Sequence, residues 1–197
     1  MPAPQQMFTH GLDVKKGWFD MASLDYAAKL SPDVDFVLNR GRVVHVDSNG
    51  DFVPGAHKTN VAIFLLNGSE DADVSNPGWG QGQGAGGSNA TQTAANFMHI
   101  AVAPTGKMSG LVATGGYEIS STEFVETEST YAPGQLLTAT RTSSPAATDG
   151  RLTNESVTQF VTPVVGVVSS GVATNHNGIS ALSFWCVWLP GATNWTP

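Results

Sequence analysis

Two apolar runs near the C-terminal end constrain the fold more than any other part of the chain. Residues 164–168 are four valines around one glycine, and residues 179–189 are rich in aromatic and branched side chains. A turn-forming segment, Asn175-His176-Asn177-Gly178, lies between them. β-Branched and aromatic residues bounded by Gly, Asn and Pro are typical of strands. We therefore predict two strands that need cover on both faces and lie at the centre of a β-barrel or sandwich.

The composition favours the same fold class. Charged residues make up only 13% of the chain, which contains 22 glycines. This charged fraction is about half of the usual share. Helical bundles need Glu and Lys on their solvent faces, whereas short strands with many turns do not. We predict an all-β fold, a β-barrel or sandwich, with an extended N-terminal arm and a long Gly-rich loop insertion.

The chain divides into an arm, a domain and a tail. Residues 1–32 form the predicted arm, because alternating strand-like residues begin only near Asp33. Residues 33–191 form the predicted β-barrel domain, which carries an inserted loop at 68–95, and residues 192–197 form the tail. Apolar residues at helical spacing predict a short helix over 20–30. The arm either packs on its own domain or docks its aromatic residues on a neighbouring subunit.

Local turn signals divide the domain into strands. Asn49-Gly50, between two β-rich runs, predicts a hairpin, since this pair accepts the positive φ values of a type I′ turn. Gly115-Gly116 predicts a bend within a strand over 111–121. Further predicted features are a buried strand at 61–66, a strand at 97–103, a turn at 131–134 followed by a strand from Leu136, and a flexible loop at 143–150.

No motif in the chain predicts catalytic, cofactor-binding or metal-binding residues. Residues 82–87 fit G-x-G-x-x-G, but neither a preceding strand nor a correctly spaced acidic residue accompanies them. The acidic residues at 47–51 and 70–73 offer oxygen ligands for Ca²⁺, yet neither cluster has the spacing of an EF-hand. The five histidines are scattered without zinc-site spacing. Cys186, the single cysteine, is predicted to be a buried thiol.

A set of glutamates is the only candidate for paired-carboxylate chemistry. We interpret these residues as a solvated strand face, since three of them share one parity along the chain. The set consists of Glu118, Glu123, Glu126 and Glu128.

Charge and hydropathy set expectations about partners and compartment. The net charge is −7 and the chain has no cluster of Lys and Arg, which predicts no binding to nucleic acid. No apolar run approaches the ~18 residues of a membrane span, so we expect no membrane partner. The N-terminus lacks the apolar core of a secretory signal, which predicts synthesis and assembly in a cytoplasm.

Several phrases of the domain resemble the capsid decoration (cement) proteins of tailed bacteriophages. They are GRVVHVDSNGDFVPG, VAIFLLNGSEDADVSNPG, SGLVATGGYEISSTEFV, YAPGQLLTA, DGRLTN and VVGVVSSGVATNHNGISALSFWCVWLPG. The resemblance covers residues 33–191 and implies a small non-enzymatic β-barrel or β-tulip that stabilises the phage head. It further implies a location on the outer surface of the virion capsid, the major capsid protein as partner, and self-association as a trimer or dimer.

Aromatic residues outside the strands are the candidate partner-binding residues. Phe8, Trp18 and Phe19 lie in the arm, and Trp79 lies in the Gly-rich insertion. Burial of such side chains stabilises an interface by roughly 25 cal/mol per Å² of apolar area.

An alternative function is a tail or baseplate β-module in which tryptophans stack on host glycans. Its candidates are Trp79, Trp185, Trp188 and Trp195. Trp185 and Trp188 are instead expected to lie on opposite faces of a central strand. A hydrolase built on a β-sandwich is a third alternative.

Overall fold

The described part of the chain is all-β. A computed structural model describes residues 12–17, 25–36, 38–66, 107–113, 115–126, 130–155, 157, 161–174 and 179–192. Within these ranges the chain forms eleven strands and no helix. The strands are β1 (Leu12–Gly17), β2 (Asp25–Lys29), β3 (Val43–Val46), β4 (Phe52–Pro54), β5 (Ile63–Leu65), β6 (Lys107–Val112), β7 (Tyr117–Ser121), β8 (Leu136–Ala139), β9 (Leu152–Thr153), β10 (Val164–Thr174) and β11 (Ser180–Leu189).

The strands form two antiparallel sheets. The six-stranded sheet has the order β1-β7-β11-β10-β8-β9, and the five-stranded sheet has the order β2-β6-β5-β3-β4. β10 and β11 are the central pair of the six-stranded sheet, which confirms the predicted central position of the two apolar runs. The prediction that these strands need cover on both faces is wrong, since Trp185 of β11 is 42% exposed. The all-β fold class is likewise confirmed.

The main core lies where the two sheets pack together. The five-stranded sheet contributes Val43, Phe64 and Leu111, and the six-stranded sheet contributes Ile119 and Phe184, all of them buried. The rings of Phe64 and Phe184 meet with centroids 5.4 Å apart. Such tilted aromatic pairs add about 0.5–1.5 kcal/mol beyond the burial of their area. The packing of these residues joins the two sheets.

The five-stranded sheet curls and encloses a second core. Leu30, just after β2, forms a parallel bridge with Phe52 of β4, and the Ser31 amide donates to the Phe52 carbonyl at 2.9 Å. The two edges of the sheet therefore approach each other as in a half-barrel. Inside the curl lies a buried apolar cluster: Ala28, Val34, Leu38, Val44, Phe52, Ile63, Leu65 and Met108.

The chain crosses from one sheet to the other at Gly115-Gly116. β6 belongs to the five-stranded sheet and β7 to the six-stranded sheet. Both glycines have positive φ, 92° and 87°, a conformation that glycine adopts without the Cβ clash of other residues. The predicted bend is confirmed, but the single strand predicted over 111–121 is wrong, because the bend divides it into β6 and β7.

The predicted hairpin around Asn49-Gly50 is confirmed, but its turn differs from type I′. β3 and β4 pair antiparallel, and the Asp47 amide donates to the Asp51 carbonyl at 2.9 Å. The loop therefore has three residues, 48–50. The Gly50 amide donates to the Asp47 carbonyl at 3.2 Å, and Gly50 has φ 86°. This is the pattern of a type I turn followed by a glycine bulge.

The helix predicted over 20–30 is wrong, because residues 25–29 form β2. Tyr26 contacts Phe52, with ring centroids 5.9 Å apart, and Ala28 joins the core of the half-barrel. An isolated helix of this length is marginal in water, whereas pairing with β6 satisfies the backbone and buries Ala28. β1 similarly pairs with β7, so both strands from residues 1–32 belong to the sheets. Docking of the arm on a neighbouring subunit stays a prediction.

Candidate functional site

The predicted partner-binding residues lie outside the described part of the chain. These are Phe8, Trp18, Phe19 and Trp79; Trp195, a candidate for glycan stacking, also lies outside it. Of the two described tryptophans, Trp188 packs against the main core, and Trp185 is 42% exposed. The prediction that these two lie on opposite faces of a central strand is confirmed.

Trp185 stands in a row of side chains that crosses three strands. It is paired with Glu118 of β7 on one side and with Val167 of β10 on the other. Phe184 and Cys186, the chain neighbours of Trp185, both point into the main core. Because side chains alternate along a strand, Trp185 and its two partners face away from the core.

Several side chains near Trp185 on this face are polar and buried. Glu118 is 5% exposed, and its carboxylate accepts a hydrogen bond of 2.6 Å from the Ser169 hydroxyl. This bond spans β11, which lies between β7 and β10. Ser120 and Ser183, a cross-strand pair on the same face, are also buried. Trp185 is thus an exposed aromatic residue whose neighbours on this face include buried polar side chains, one of which accepts a cross-strand hydrogen bond.

The interpretation of the glutamates as a solvated strand face is wrong for two of them. Glu118 and Glu123 are 5% and 3% exposed, respectively, whereas Glu126 is exposed. Glu128 lies outside the described residues. Both buried carboxylates accept hydrogen bonds from residues more than fifty positions away, so no local pattern indicates their burial.

Glu123 belongs to a buried ion pair that joins three parts of the fold. The Arg42 Nε donates to its carboxylate, and Asn39 donates to the other carboxylate oxygen at 3.3 Å. Arg42 Nη1 also donates to the carbonyls of Ala147 and Asp149, at 2.9 and 2.6 Å. Burial lowers the pKa of Arg42, and the charge of Glu123 opposes that shift. Because these contacts all lie within the scaffold, we assign the pair a structural role.

The loop predicted as flexible at 143–150 is anchored. Asp149 Oδ2 accepts hydrogen bonds from the Thr142 amide, the Thr142 hydroxyl and the Ala146 amide, at 3.2, 2.8 and 3.1 Å. Together with the bonds from Arg42, these contacts hold the loop against the start of β3.

The structure brings together two of the histidines that are scattered in the sequence. The rings of His45 and His57 stack with centroids 4.9 Å apart and an interplanar angle of 25°. Burial is the main cause that lowers the pKa of His45 to about 4. Among the described residues, no group of three or more His, Cys, Asp or Glu side chains is placed to hold a metal ion.

An open groove of about 440 Å³ lies beside the far end of β10. Phe124, Tyr131 and Val172 give it apolar walls, and Glu126 is its acidic residue. The Tyr131 hydroxyl is already engaged, since it donates to the Val125 carbonyl at 2.9 Å. The groove therefore offers contact area without a converging set of reactive groups.

Cys186 is buried in the main core, as predicted, with 3% exposure. Burial raises the pKa of its thiol to about 11. The thiolate is the nucleophilic form, so the native thiol is a poor nucleophile at neutral pH.

We expect Cys186 to react with iodoacetamide about 100-fold more slowly in the native protein than in urea at pH 8, because burial raises the pKa of its thiol from 9.0 to about 11. Mass spectrometry of quenched samples gives both rates. The variant Ser144→Cys/Cys186→Ala carries its thiol on an exposed loop position and should react rapidly without urea. Native and urea rates within tenfold of each other would contradict the expectation.

Protein-family models, curated proteins and solved structures all give no match. In the described residues there is no helix with the length and apolarity needed to cross a lipid bilayer.

Proposed function

We propose that the chain is a non-enzymatic structural protein of a phage virion that binds the outer surface of the capsid and stabilises the head. The observation that carries the proposal is the exposed Trp185 at the centre of the six-stranded sheet, where its neighbours on the same face include buried polar side chains. The sequence phrases that resemble decoration proteins include β11, which contains Trp185, and β10, which pairs with it. The major capsid protein is the proposed partner.

The position of Trp185 suits an interface anchor. Binding energy concentrates in a few residues near the centre of an interface, and tryptophan is enriched among them. The backbone that carries the ring is fixed before binding, since β11 belongs to the central pair of the sheet and both chain neighbours of Trp185 are in the core. Preorganisation of this kind lowers the entropy lost on association.

A symmetric capsid shell offers many equivalent binding sites, so contacts that are weak at one site can together give strong attachment. Each copy binds one of many equivalent sites, and a self-associated trimer or dimer engages several sites at once. We therefore propose a homo-oligomer as the binding unit. Light scattering after size exclusion measures its mass directly.

Replacing Trp185 by alanine is expected to weaken binding to purified heads about 30-fold, which corresponds to about 2 kcal/mol for an interface anchor. Tyr26→Ala is the matched control, because Tyr26 is similarly exposed, at 40%, but lies on the five-stranded sheet. Heads stripped of the chain are titrated with each variant, and the bound fraction is measured by sedimentation.

Two results would overturn the proposal. One is equal binding of wild type and Trp185→Ala to heads, with both proteins folded by circular dichroism. The other is the absence of the chain from particles purified to homogeneity.

A tail or baseplate module that binds host glycans is the second candidate function. The observation that favours it is the exposed indole of Trp185. A flat aromatic ring stacks on the apolar face of a sugar. Gold-labelled antibodies against the chain distinguish the two functions, since decoration places the label on heads and glycan binding places it on tails.

A further inference from the structure

We propose that the stacked His45 and His57 form an acid-sensitive latch, which holds the connection between β4 and β5 at neutral pH and releases it on mild acidification. The connection comprises residues 55–62. We call the two histidines the His45–His57 latch. The proposal does not depend on the function proposed above.

The connection lies at a junction of the fold. The Gly55 amide donates to the Val43 carbonyl at 2.9 Å, and the Asn60 side chain donates to the Val46 carbonyl at 2.7 Å, so both of its ends are bound to β3. In its middle, the Lys58 carbonyl accepts a hydrogen bond of 2.9 Å from the Gly191 amide, just after β11. A change in the connection therefore affects both sheets.

Hydrogen bonds determine where each neutral ring carries its proton. His45 Nδ1 lies 2.9 Å from the Gly55 carbonyl oxygen, which only accepts, so this nitrogen carries a hydrogen. His57 Nδ1 lies 3.3 Å from the Thr59 amide and 3.2 Å from the Asn60 amide, which only donate, so this nitrogen has none.

Protonation therefore disrupts the latch through its geometry. A proton on His57 Nδ1 removes the acceptor of the Thr59 and Asn60 amides and points a donor at them. Of the three groups around this nitrogen, the Thr59 hydroxyl, at 3.2 Å, is the one whose oxygen can accept the new proton. A proton on His45 enters at Nε2 and places a cation in a buried site, where the ring is 3% exposed. When both rings are charged, two cations stack 4.9 Å apart.

The surrounding charges reinforce this effect. Arg141, which follows β8, acts on both rings, and Lys58 acts on His57, and both oppose protonation. Asp47, at the end of β3, favours the protonated form of His45 but is outweighed by burial. Asp149 acts on Arg141 rather than on the latch.

The direction of the pH dependence follows from the lowered pKa of His45, about 4 in the folded chain against 6.5 in the unfolded chain. The unfolded state binds more protons between these values, so the latch is fully stabilising above pH 6.5 and loses stability as the pH falls toward 4. From pH 7 to pH 5 the folding equilibrium constant should fall about 20-fold through His45 alone. The pKa of His57 is also lowered by burial, which adds to the same trend.

Asparagine variants test the latch, because asparagine places an amide group where histidine has Nδ1. His45→Asn keeps a donor for the Gly55 carbonyl, and His57→Asn keeps an acceptor for the Thr59 and Asn60 amides. Neither variant titrates. His99→Asn is the control for loss of a histidine outside the latch.

The measurement is hydrogen exchange of the full chain at pH 7 and pH 5, corrected for intrinsic rates and read by mass spectrometry over residues 55–62. We expect protection of this segment to fall at least tenfold at pH 5 in the wild type and in His99→Asn. In His45→Asn/His57→Asn we expect a fall of less than threefold.

The proposal is overturned if wild-type protection is the same at both pH values, or if the double asparagine variant loses as much as the wild type. Should the double variant not fold, NMR titration of the wild-type imidazoles decides. A pKa of 6.5 or higher for His45 then overturns the latch, and a value below 5 supports it.

Discussion

Replacement of Arg42 by methionine is expected to lower the free energy of unfolding by about 3–5 kcal/mol, the cost of leaving a buried charge unpaired. The affected charge is Glu123, which is 3% exposed and accepts from Arg42 Nε. The carbonyls of Ala147 and Asp149 lose their donor at the same time. Urea unfolding followed by tryptophan fluorescence measures the loss.

The double variant Arg42→Met/Glu123→Leu separates the unpaired charge from the loss of the contacts. Replacing both partners of a buried ion pair by apolar residues is often neutral or stabilising. We therefore expect the double variant to recover at least half of the stability lost in Arg42→Met. If the double variant is no more stable than Arg42→Met, the hydrogen bonds of Arg42 to the 143–150 loop would be the dominant contribution instead.

Local features of this fold could be predicted from the sequence, because their causes lie within a few residues. Asn49-Gly50 indicates a hairpin since glycine alone adopts its φ of 86° without strain. Gly115-Gly116 indicates a sharp bend for the same reason. The apolar runs that became β10 and β11 indicate central strands, because β-branched and aromatic side chains pack well on the pleated surface of a sheet.

Features that depend on contacts distant in sequence could not be predicted. Arg42 and Glu123 are 81 positions apart, and only the folded chain shows that the carboxylate is buried. His45 and His57 meet because the hairpin reverses the chain and Gly55, with φ 99°, then turns it back toward β3. The assignment of consecutive strands to different sheets has no local signal either.

The candidate site was the least predictable part. The aromatic residues chosen from the sequence, Phe8, Trp18, Phe19 and Trp79, lie outside the described residues, so their role stays a prediction. The exposure of Trp185 depends on which face of β11 meets the core. Phe184 and Cys186, on either side of Trp185, lie in the core, which places Trp185 on the opposite face. The sequence alone does not show which of the two faces is the buried one.

Gly150→Ala is expected to lower the free energy of unfolding by about 2–5 kcal/mol, since two costs combine there. Gly150 has φ 83°, where a side chain costs about 1–2 kcal/mol. An added Cβ would also lie 2.6 Å from the Val43 carbonyl oxygen. This atom belongs to the backbone of β3 and is held in the sheet, so relief of the clash requires a strand to move.

Gly50→Ala isolates the first of these costs, because Gly50 has φ 86° and an added Cβ there would meet no atom within 4 Å. The reduced freedom of the unfolded chain offsets part of the strain, so we expect a loss of about 1 kcal/mol. The two variants are compared by urea unfolding under one set of conditions. The difference between their free energies of unfolding is the cost of the clash between the added Cβ at position 150 and β3. Equal losses in Gly50→Ala and Gly150→Ala would show that β3 yields without cost, and that the 149–150 turn does not hold it in place.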